Sequence, residues 1–385
     1  MDFTFKEEQL QFADALRRWI DKDYGFDVRK RIVHSASGVS DAAWHTLTEL
    51  GMLALPVPEA QGGFDGTAVD MLVVMQELGR GLVVEPYFAT VWGARFLALA
   101  GNQHRLLEDV AKGELKLACA LGEKQSRHDL ADIKTIAGVN GEGYRIDGTK
   151  TVVIHGGQAG ALIVSARSAG AQRDANGISL FVVPADTPGV TVRDYRTIDG
   201  LRAATVQFSH VAVPASALLG KLGGGWEMLD AAADYGTTLL CAEALGAMDA
   251  LFSATLDYMK TRKQFRTPIG SFQAVQHRMA DMYIHLEQAR SMAMLAAANV
   301  SNVANVADGG VEERRRVVSA AKVRIGHAAK FIGQQAIQLH GGMGVTDELP
   351  AAHHFKRLTT IELTLGDADH HLERFIAQRG FGQHS

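Results

Sequence analysis

The sequence predicts a multidomain α+β fold with an N-terminal helical domain, a middle β-barrel domain and a C-terminal four-helix bundle. The main observation is that the spacing of apolar residues changes from helical to alternating and back again along the chain. The length of 385 residues also allows two or three domains of about 100–200 residues each. We place the domains at residues 1–115, 116–222 and 223–385.

The N-terminal domain is predicted to be helical because its apolar residues recur at helical spacing. Leu16, Trp19 and Ile20 would share one face of the first helix. Ser40 is a candidate N-cap for a second helix that ends near Gly51. Two further helices are predicted over residues 69–82 and 87–100.

The middle domain is predicted to be a small β-barrel or sandwich, because short alternating segments are separated by glycine-rich turns. The predicted strands are residues 117–121, 144–148, 151–154, 161–166, 178–183 and 205–213. Gly156-Gly157 and Pro188-Gly189 are among the turns between them. This β pattern is absent from the segments on either side.

The C-terminal domain is predicted to be a four-helix bundle because long amphipathic helices follow one another with short loops between them. Their apolar stripes cover residues 245–259, 272–289, 321–336 and 351–378. We interpret the methionines in these stripes as core residues, since methionine fills irregular gaps in apolar interiors.

Composition excludes several classes of function. A net charge of −4 gives no basic surface for nucleic acid. Cys119 and Cys241 form neither a disulfide framework nor a zinc motif, and the chain shows no signal peptide and no uncharged apolar run that could span a membrane. We therefore expect a cytoplasmic enzyme. His353-His354 and His370-His371 are interpreted as surface pairs, so no metal is expected.

Two stretches of the predicted bundle point to a phosphate-containing ligand. The first runs from Arg262 to Gln273, and an arginine at a helix end can hold a phosphate through paired hydrogen bonds. The second is Gln-Leu-His-Gly-Gly-Met-Gly at 338–344, where two glycines let a ligand approach the backbone. The structural alternative is a pair of helix caps and one surface arginine.

These two stretches, together with Gly62-Gly63, Gly148 and Lys150, resemble the acyl-CoA dehydrogenase family, and the resemblance extends over nearly the whole chain. The resemblance implies an acyl-CoA dehydrogenase fold and bound FAD. It also implies removal of the α-proton and β-hydride of an acyl-CoA thioester, with electrons passing to an electron-transferring flavoprotein.

The resemblance also assigns site residues. Arg262 would hold the FAD pyrophosphate, while Phe265 and Gln273 would line the cofactor. The adenosine end and the remaining cofactor contacts would fall to Gln338, Gly341, Gly342 and Gly366. In this family such groups reach the FAD of a neighbouring subunit, so a homo- or hetero-tetramer with another acyl-CoA dehydrogenase subunit is implied.

The sequence departs from the family where the reaction needs a base. The family's Glu before a Gly in the last helix corresponds to Leu365, aligned on Gly366, and the alternative base position corresponds to Gly236. The family's T-E-P-x-x-G-S-D and W-I-T stretches correspond to residues 122–129 and 152–154, which lack the flavin-side Thr and Trp. The backbone N–H of Leu365 could still polarise a thioester carbonyl.

Three alternatives follow for function. Asp367, our candidate catalytic residue, or Glu243 could be a relocated base in a working acyl-CoA dehydrogenase. The chain could instead be a non-catalytic subunit that completes a FAD site on another chain. Residues 365–371 favour this, because they resemble small-subunit members such as the small subunit of pimeloyl-CoA dehydrogenase. The third alternative is a flavin oxidase or monooxygenase.

Overall fold

The structure, a computed structural model, describes residues 5–301 and 310–378. The chain divides into two compact units. The helical unit comprises Met1–Lys30, Thr67–Val83 and Thr237–Ser385, and the sheet unit comprises Arg31–Gly66 and Val84–Gly236. Both units are therefore discontinuous in sequence.

The helices before the first strand are α1 (Glu7–Asp23), α2 (Phe26–His34), α3 (Asp41–Glu49), α4 (Ala68–Arg80), α5 (Tyr87–Ala100) and α6 (His104–Ala111). Four of them, α1, α3, α4 and α5, were predicted. The Ser40 hydroxyl caps α3 by accepting a hydrogen bond from the Ala43 N–H at 3.2 Å. The remaining two, α2 and α6, have nine and eight residues and were missed.

The N-terminal helices are shared between the two units. Helices α1 and α4 belong to the helical unit, whereas α3, α5 and α6 belong to the sheet unit. Glycine explains how α4 packs within its unit. A Cβ at Gly79 would collide with the Glu243 carbonyl oxygen, and a Cβ at Gly246 with that of Gln76. The boundaries at residues 115 and 222 stay a prediction.

The sheet unit is built on one eight-stranded sheet. Its strands are β1 (Leu117–Ala120), β2 (Ile136–Asn140), β3 (Gly143–Ile154), β4 (Ala161–Arg167), β5 (Ile178–Pro184), β6 (Val190–Arg196), β7 (Arg202–Pro214) and β8 (Leu218–Leu219). The pairing order is β6-β7-β3-β2-β4-β5-β8, and β1 pairs with β4 in parallel. The predicted middle β domain is confirmed. Among the described residues, however, the hydrogen-bonded path is open rather than a closed barrel, with β6 and β8 at its ends.

The apolar core of the sheet unit lies against one face of this sheet. Side chains from neighbouring strands meet there, including Leu162, Val164, Phe181, Val206 and Phe208, and each is at most 2% exposed. Residues that alternate along a strand point to the same face, which explains the period of two in the sequence.

The described residues that follow β8 form helices and one short hairpin. The elements are α7 (Trp226–Thr261), β9 (Lys263–Gln264), β10 (Thr267–Pro268), α8 (Gln273–Ser301), α9 (Gly310–His340), α10 (Pro350–Leu363) and α11 (Ala368–Ile376). The methionines at 248, 259, 279 and 282 are buried, as predicted. The single fourth helix predicted over residues 351–378 is wrong, because the chain breaks between α10 and α11.

Helix α7 bears on the expectation of no membrane span. It contains an 18-residue window that is long and apolar enough to cross a membrane when up to two charged residues are allowed. Of this window, 67% is buried inside the structure. Because the core helix of a soluble protein meets the same criterion, the window is only weak evidence for a span.

Candidate cofactor and substrate site

The first half of the site lies at the end of α7, where the chain turns into a two-residue hairpin. Phe265 and Arg266 form the turn, with φ values of +52° and +65°. Left-handed conformations at both central positions define the turn type that matches the twist of a hairpin, although side chains other than Gly, Asn and Asp rarely adopt them. The hairpin leaves Arg262 exposed at its base and the Phe265 ring 89% exposed at its tip.

The second half lies at the end of α9. Gln338 is exposed, and the helix passes into a tight turn at Gly341, whose φ is +60°. No atom outside the adjacent residues lies within 4 Å of the position that a Cβ would take at Gly341 or Gly342. Two consecutive peptide groups are therefore open to a ligand.

The structure brings these two halves together. The ring of Tyr258, one turn before Arg262, stacks on the ring of His340 with the centroids 4.6 Å apart. Phe265 meets Phe272 edge to face at 6.2 Å, next to the exposed Gln273 at the start of α8. We call Arg262, Phe265, Gln273, Gln338, Gly341 and Gly342 the clamp.

The clamp fits a dinucleotide. Throughout residues 5–301 and 310–378, no hydrogen bond or ion pair engages the side chains of Arg262, Gln273 or Gln338. An exposed guanidinium suits a pyrophosphate, amides suit the polar edges of adenosine, and bare glycine backbone permits close approach. When bound, FAD would supply the hydride acceptor of a dehydrogenation.

The expected position of the catalytic base falls in the turn between α10 and α11. Leu365 occupies this position with a φ of +58°, and Gly366 follows with a φ of +108°. The Leu365 side chain cannot accept a proton. A Cβ at Gly366 would come within 2.6–2.9 Å of the His370 and His371 rings, so only glycine fits there.

Lys322 and His371 hold this turn in place. The buried Lys322 ammonium donates to the carbonyl oxygens of Ile361 at 2.7 Å and Thr364 at 2.6 Å. His371 Nε2 donates to the Leu365 carbonyl oxygen at 2.9 Å. Because C=O and N–H point in opposite directions across a trans peptide, the Leu365 N–H is turned away from Lys322. Its position as a possible thioester donor is thus fixed by residues that sequence reasoning missed.

Burial controls the charge of both residues. It lowers the pKa of Lys322 to about 8, although the negative charges of Glu362 and Asp367 act to raise it. It also lowers the pKa of His371 to about 3, so that this imidazole is neutral near neutral pH. Lys322 lies between the buried residues Val318 and Ile325 on α9, and this periodic spacing is the signal that could have revealed it.

The interpretation of both histidine pairs as surface residues is wrong for one member of each pair. His354 is 5% exposed and His371 is 2% exposed. Adjacent residues on a helix point about 100° apart, so one ring of each pair faces the interior. Burial lowers the pKa of His354 to about 3.

The two carboxylates considered as relocated bases both have structural partners. The Asp367 carboxylate accepts a hydrogen bond from the His370 N–H at 2.8 Å and caps α11. Glu243 accepts two hydrogen bonds from the buried Arg357 guanidinium, at 2.6 and 2.7 Å. These structural roles account for the presence of both carboxylates without a catalytic function. A catalytic role for Asp367 stays a prediction.

In the sheet unit, Lys150 organises the segment that corresponds to the flavin-side motif. Its fully buried ammonium donates to Glu123 at 2.8 Å, Ser165 at 3.0 Å and the Leu121 carbonyl at 3.1 Å. Burial acts to raise the pKa of Glu123, but the Lys150 charge and the hydrogen bonds from Lys150, Gln125 and the Thr135 N–H together outweigh it, and the pKa falls to about 2. Burial lowers the pKa of Lys150 to about 8. Lys150 is thus a structural anchor of this segment.

The second flavin-side segment, residues 152–154, lies in β3. Val152 has a φ of +53° and is 63% exposed, at a shift in the register between β3 and β7. An aliphatic side chain there offers neither the aromatic face nor the hydroxyl expected from the family pattern. The side chain at this position therefore gives no reason to revise the predicted loss of flavin-ring contacts, which stays a prediction.

Family models for acyl-CoA dehydrogenases match all three parts of the chain. The N-terminal domain model matches residues 6–114, the middle domain model residues 118–211 and the C-terminal domain model residues 223–380. These matches confirm the family that the sequence motifs indicated.

Individual relatives agree with the family models. YngJ of Bacillus subtilis, named a probable acyl-CoA dehydrogenase, is 30% identical, and the match covers 98% of this chain and 99% of the relative. The human mitochondrial short-chain specific acyl-CoA dehydrogenase is 28% identical over 83% of this chain and 78% of its own.

Solved structures show the same fold. The ChsE4-ChsE5 complex from Mycobacterium tuberculosis matches with a TM-score of 0.84 and 26% identity over 97% of both chains. Butyryl-CoA dehydrogenase from Megasphaera elsdenii matches in fold, with a TM-score of 0.87 and 24% identity over 97% of this chain and 98% of its own. The chain belongs to the acyl-CoA dehydrogenase family, the FAD-dependent flavoprotein oxidoreductases that dehydrogenate acyl-CoA thioesters in fatty acid metabolism.

Proposed function

We propose that this chain is one subunit of a hetero-oligomeric acyl-CoA dehydrogenase and completes the FAD site of a second, base-bearing acyl-CoA dehydrogenase chain. One observation carries the proposal: within residues 5–301 and 310–378, the polar side chains of the clamp are exposed and make no hydrogen bond or ion pair, while Leu365 occupies the expected base position. The chain thus keeps the clamp residues that would bind a dinucleotide. It lacks, at the expected base position, a side chain that could remove the α-proton.

The dehydrogenation reaction determines which groups the two chains must supply. Dehydrogenation removes a proton from the α-carbon and a hydride from the β-carbon of the thioester, so a base must face the α-carbon. In this chain, Arg262 would neutralise pyrophosphate charge and Gln338 would orient the adenosine end. The α-proton would be removed by a carboxylate of the second chain.

Two comparisons support a mixed oligomer and its partners. A structural neighbour with 26% identity is a complex of two chains, ChsE4 and ChsE5, and another with 25% identity comes from work on an electron transferring flavoprotein of Acidaminococcus fermentans. We accordingly propose a hetero-tetramer that passes electrons to an electron-transferring flavoprotein. We place it in the cytoplasm, because Cys119 and Cys241 are both buried free thiols.

The proposal is tested by the visible spectrum of the purified chain. Alone, the chain should carry no stoichiometric flavin band, and it should gain one when co-purified with a base-bearing acyl-CoA dehydrogenase chain from the same cell. Arg262→Ala should reduce the FAD content of that complex, whereas Arg315→Ala, which removes a charge elsewhere on α9, should not. A lone chain with stoichiometric FAD and turnover would refute the subunit role.

A further inference from the structure

We propose that the stack of Tyr258 on His340 aligns the two halves of the clamp, which makes both rings positioning residues for FAD. This inference rests on the proposed function. Arg262 follows α7 and Gln338 lies near the end of α9, so the distance between pyrophosphate and adenosine contacts depends on how these two helix ends are joined.

The Tyr258 side of the stack carries Arg262 directly. The Arg262 N–H donates to the Tyr258 carbonyl oxygen at 2.8 Å, and the Arg262 carbonyl accepts from the Ile269 N–H at 2.9 Å. The tyrosine backbone and the closing of the hairpin thus fix the arginine backbone from both sides. A shift of Tyr258 would move Arg262 with it.

The His340 side carries the glycine turn. His340 is 6% exposed, and its Nδ1 donates to the Ala336 carbonyl oxygen at 2.8 Å, which fixes the ring plane. The same residue is the last of α9 and leads directly into Gly341. A Cβ at Gly344 would come within 3.0 Å of the His340 Cβ, so the turn folds back closely onto this residue.

A cavity lies beside the end of α7. The last turns of α7 and the start of α8 border a cavity of about 490 Å³, whose lining includes Leu256, Met259 and Met279. The cavity reduces the contact between these two helix ends, although Met259 itself is only 1% exposed. The ring stack joins the end of α7 directly to the end of α9, and we assign the spacing of the clamp to it.

The experiment uses the flavin-loaded oligomer as purified, which is stripped of FAD and titrated again with FAD by flavin fluorescence. His340→Ala and Tyr258→Ala should each weaken FAD binding about fivefold, the range expected for loss of one aromatic pair. His340→Phe and Tyr258→Phe keep both rings and should stay within about twofold of the unmodified chain. Thermal midpoints show that each variant is folded.

A double-mutant cycle separates alignment from general weakening. If the stack acts through Arg262, His340→Ala should cost little further FAD affinity in an Arg262→Ala background. An undiminished His340→Ala effect in that background would overturn the inference, as would unchanged FAD affinity of His340→Ala in the otherwise unmodified chain. If Arg262→Ala itself leaves FAD affinity unchanged, the proposed function fails as well, so the two failures are distinguishable.

Discussion

Two buried ion pairs in this protein join residues that are distant in sequence. Lys150 pairs with Glu123 across 27 residues, and Arg357 pairs with Glu243 across 114 residues. Removing a charge from water is costly, and a close ion pair with additional hydrogen bonds offsets that cost. Each pair is therefore expected to be sensitive to the loss of one partner, because the other charge would stay buried alone.

Glu123→Gln should lower the free energy of unfolding by about 3–5 kcal/mol at pH 7, because Lys150 loses its counter-charge in a buried position. Urea unfolding followed by tryptophan fluorescence measures the change. Glu142→Gln is the matched control, since Glu142 is an exposed glutamate of the same unit and should have little effect. A similar loss in both variants would contradict the anchoring role of Glu123.

The carboxylate of Glu123 also predicts that the free energy of unfolding depends on pH in the acidic range. The pKa of Glu123 lies near 2 in the folded chain, below its ordinary value of 4.5. Its contribution to stability is therefore complete above about pH 4.5 and is lost as the pH falls from 4.5 toward 2. The Glu123→Gln variant should lack this part of the acid sensitivity, and urea midpoints at pH 5 and pH 3 test this directly.

At the scale of elements, the break between α10 and α11 shows how side chains end a helix. The apolar pattern continues from residue 351 to 378, yet α10 stops at Leu363 and α11 starts at Ala368. The Lys322 ammonium donates hydrogen bonds to two of the carbonyl groups at the end of α10, and the Asp367 side chain caps the next helix. Polar groups that satisfy free helix ends make the break stable.

Gly366→Ala should destabilise the chain by about 1–3 kcal/mol, because alanine tolerates the left-handed backbone poorly and its Cβ would strike two histidine rings. Gly101→Ala is a matched control. Gly101 also has a positive φ of +67°, but no atom lies near its would-be Cβ. We expect a smaller loss of about 1 kcal/mol there. Equal thermal shifts in the two variants would contradict a role for the histidine contacts.

At the scale of the whole molecule, the chain retains one set of family features and has lost another. The two sets belong to different parts of the site. The clamp residues and the three-part family match are present, whereas other residues stand where the resemblance places the Glu base and the flavin-side Thr and Trp. Dehydrogenation needs a bound flavin and a base that faces the α-carbon in the same site. This distribution is what we expect of a subunit whose chemistry is completed by another chain.

If the base lies on another chain, removing either of the two relocated-base candidates should have little effect on turnover. In the assembled oligomer, Asp367→Asn should leave kcat within about twofold, because asparagine also caps helices and no proton transfer is lost. Glu243→Gln should lower stability but not the turnover of the folded oligomer. Dye-coupled acyl-CoA oxidation measures both. A hundredfold or larger fall in kcat for Asp367→Asn, the scale of losing a general base, would assign the base to this chain.

Local sequence determined the fold class, the family and most of the long helices and strands. Alternation and helical spacing depend only on which face of an element is buried, and both can be read over a few residues. The motifs around Arg262 and Gln338 likewise lie within single segments, so the clamp could be named from sequence through the resemblance.

Tertiary structure alone decided how the charged and turn residues are used. Whether Glu243 is free or paired depends on Arg357 on another helix, and the conformation of Leu365 depends on Lys322 and His371. The open path of the sheet and the division of the N-terminal helices between two units also depend on contacts between distant segments. No local period reports such contacts, because they arise only once separate elements have packed together.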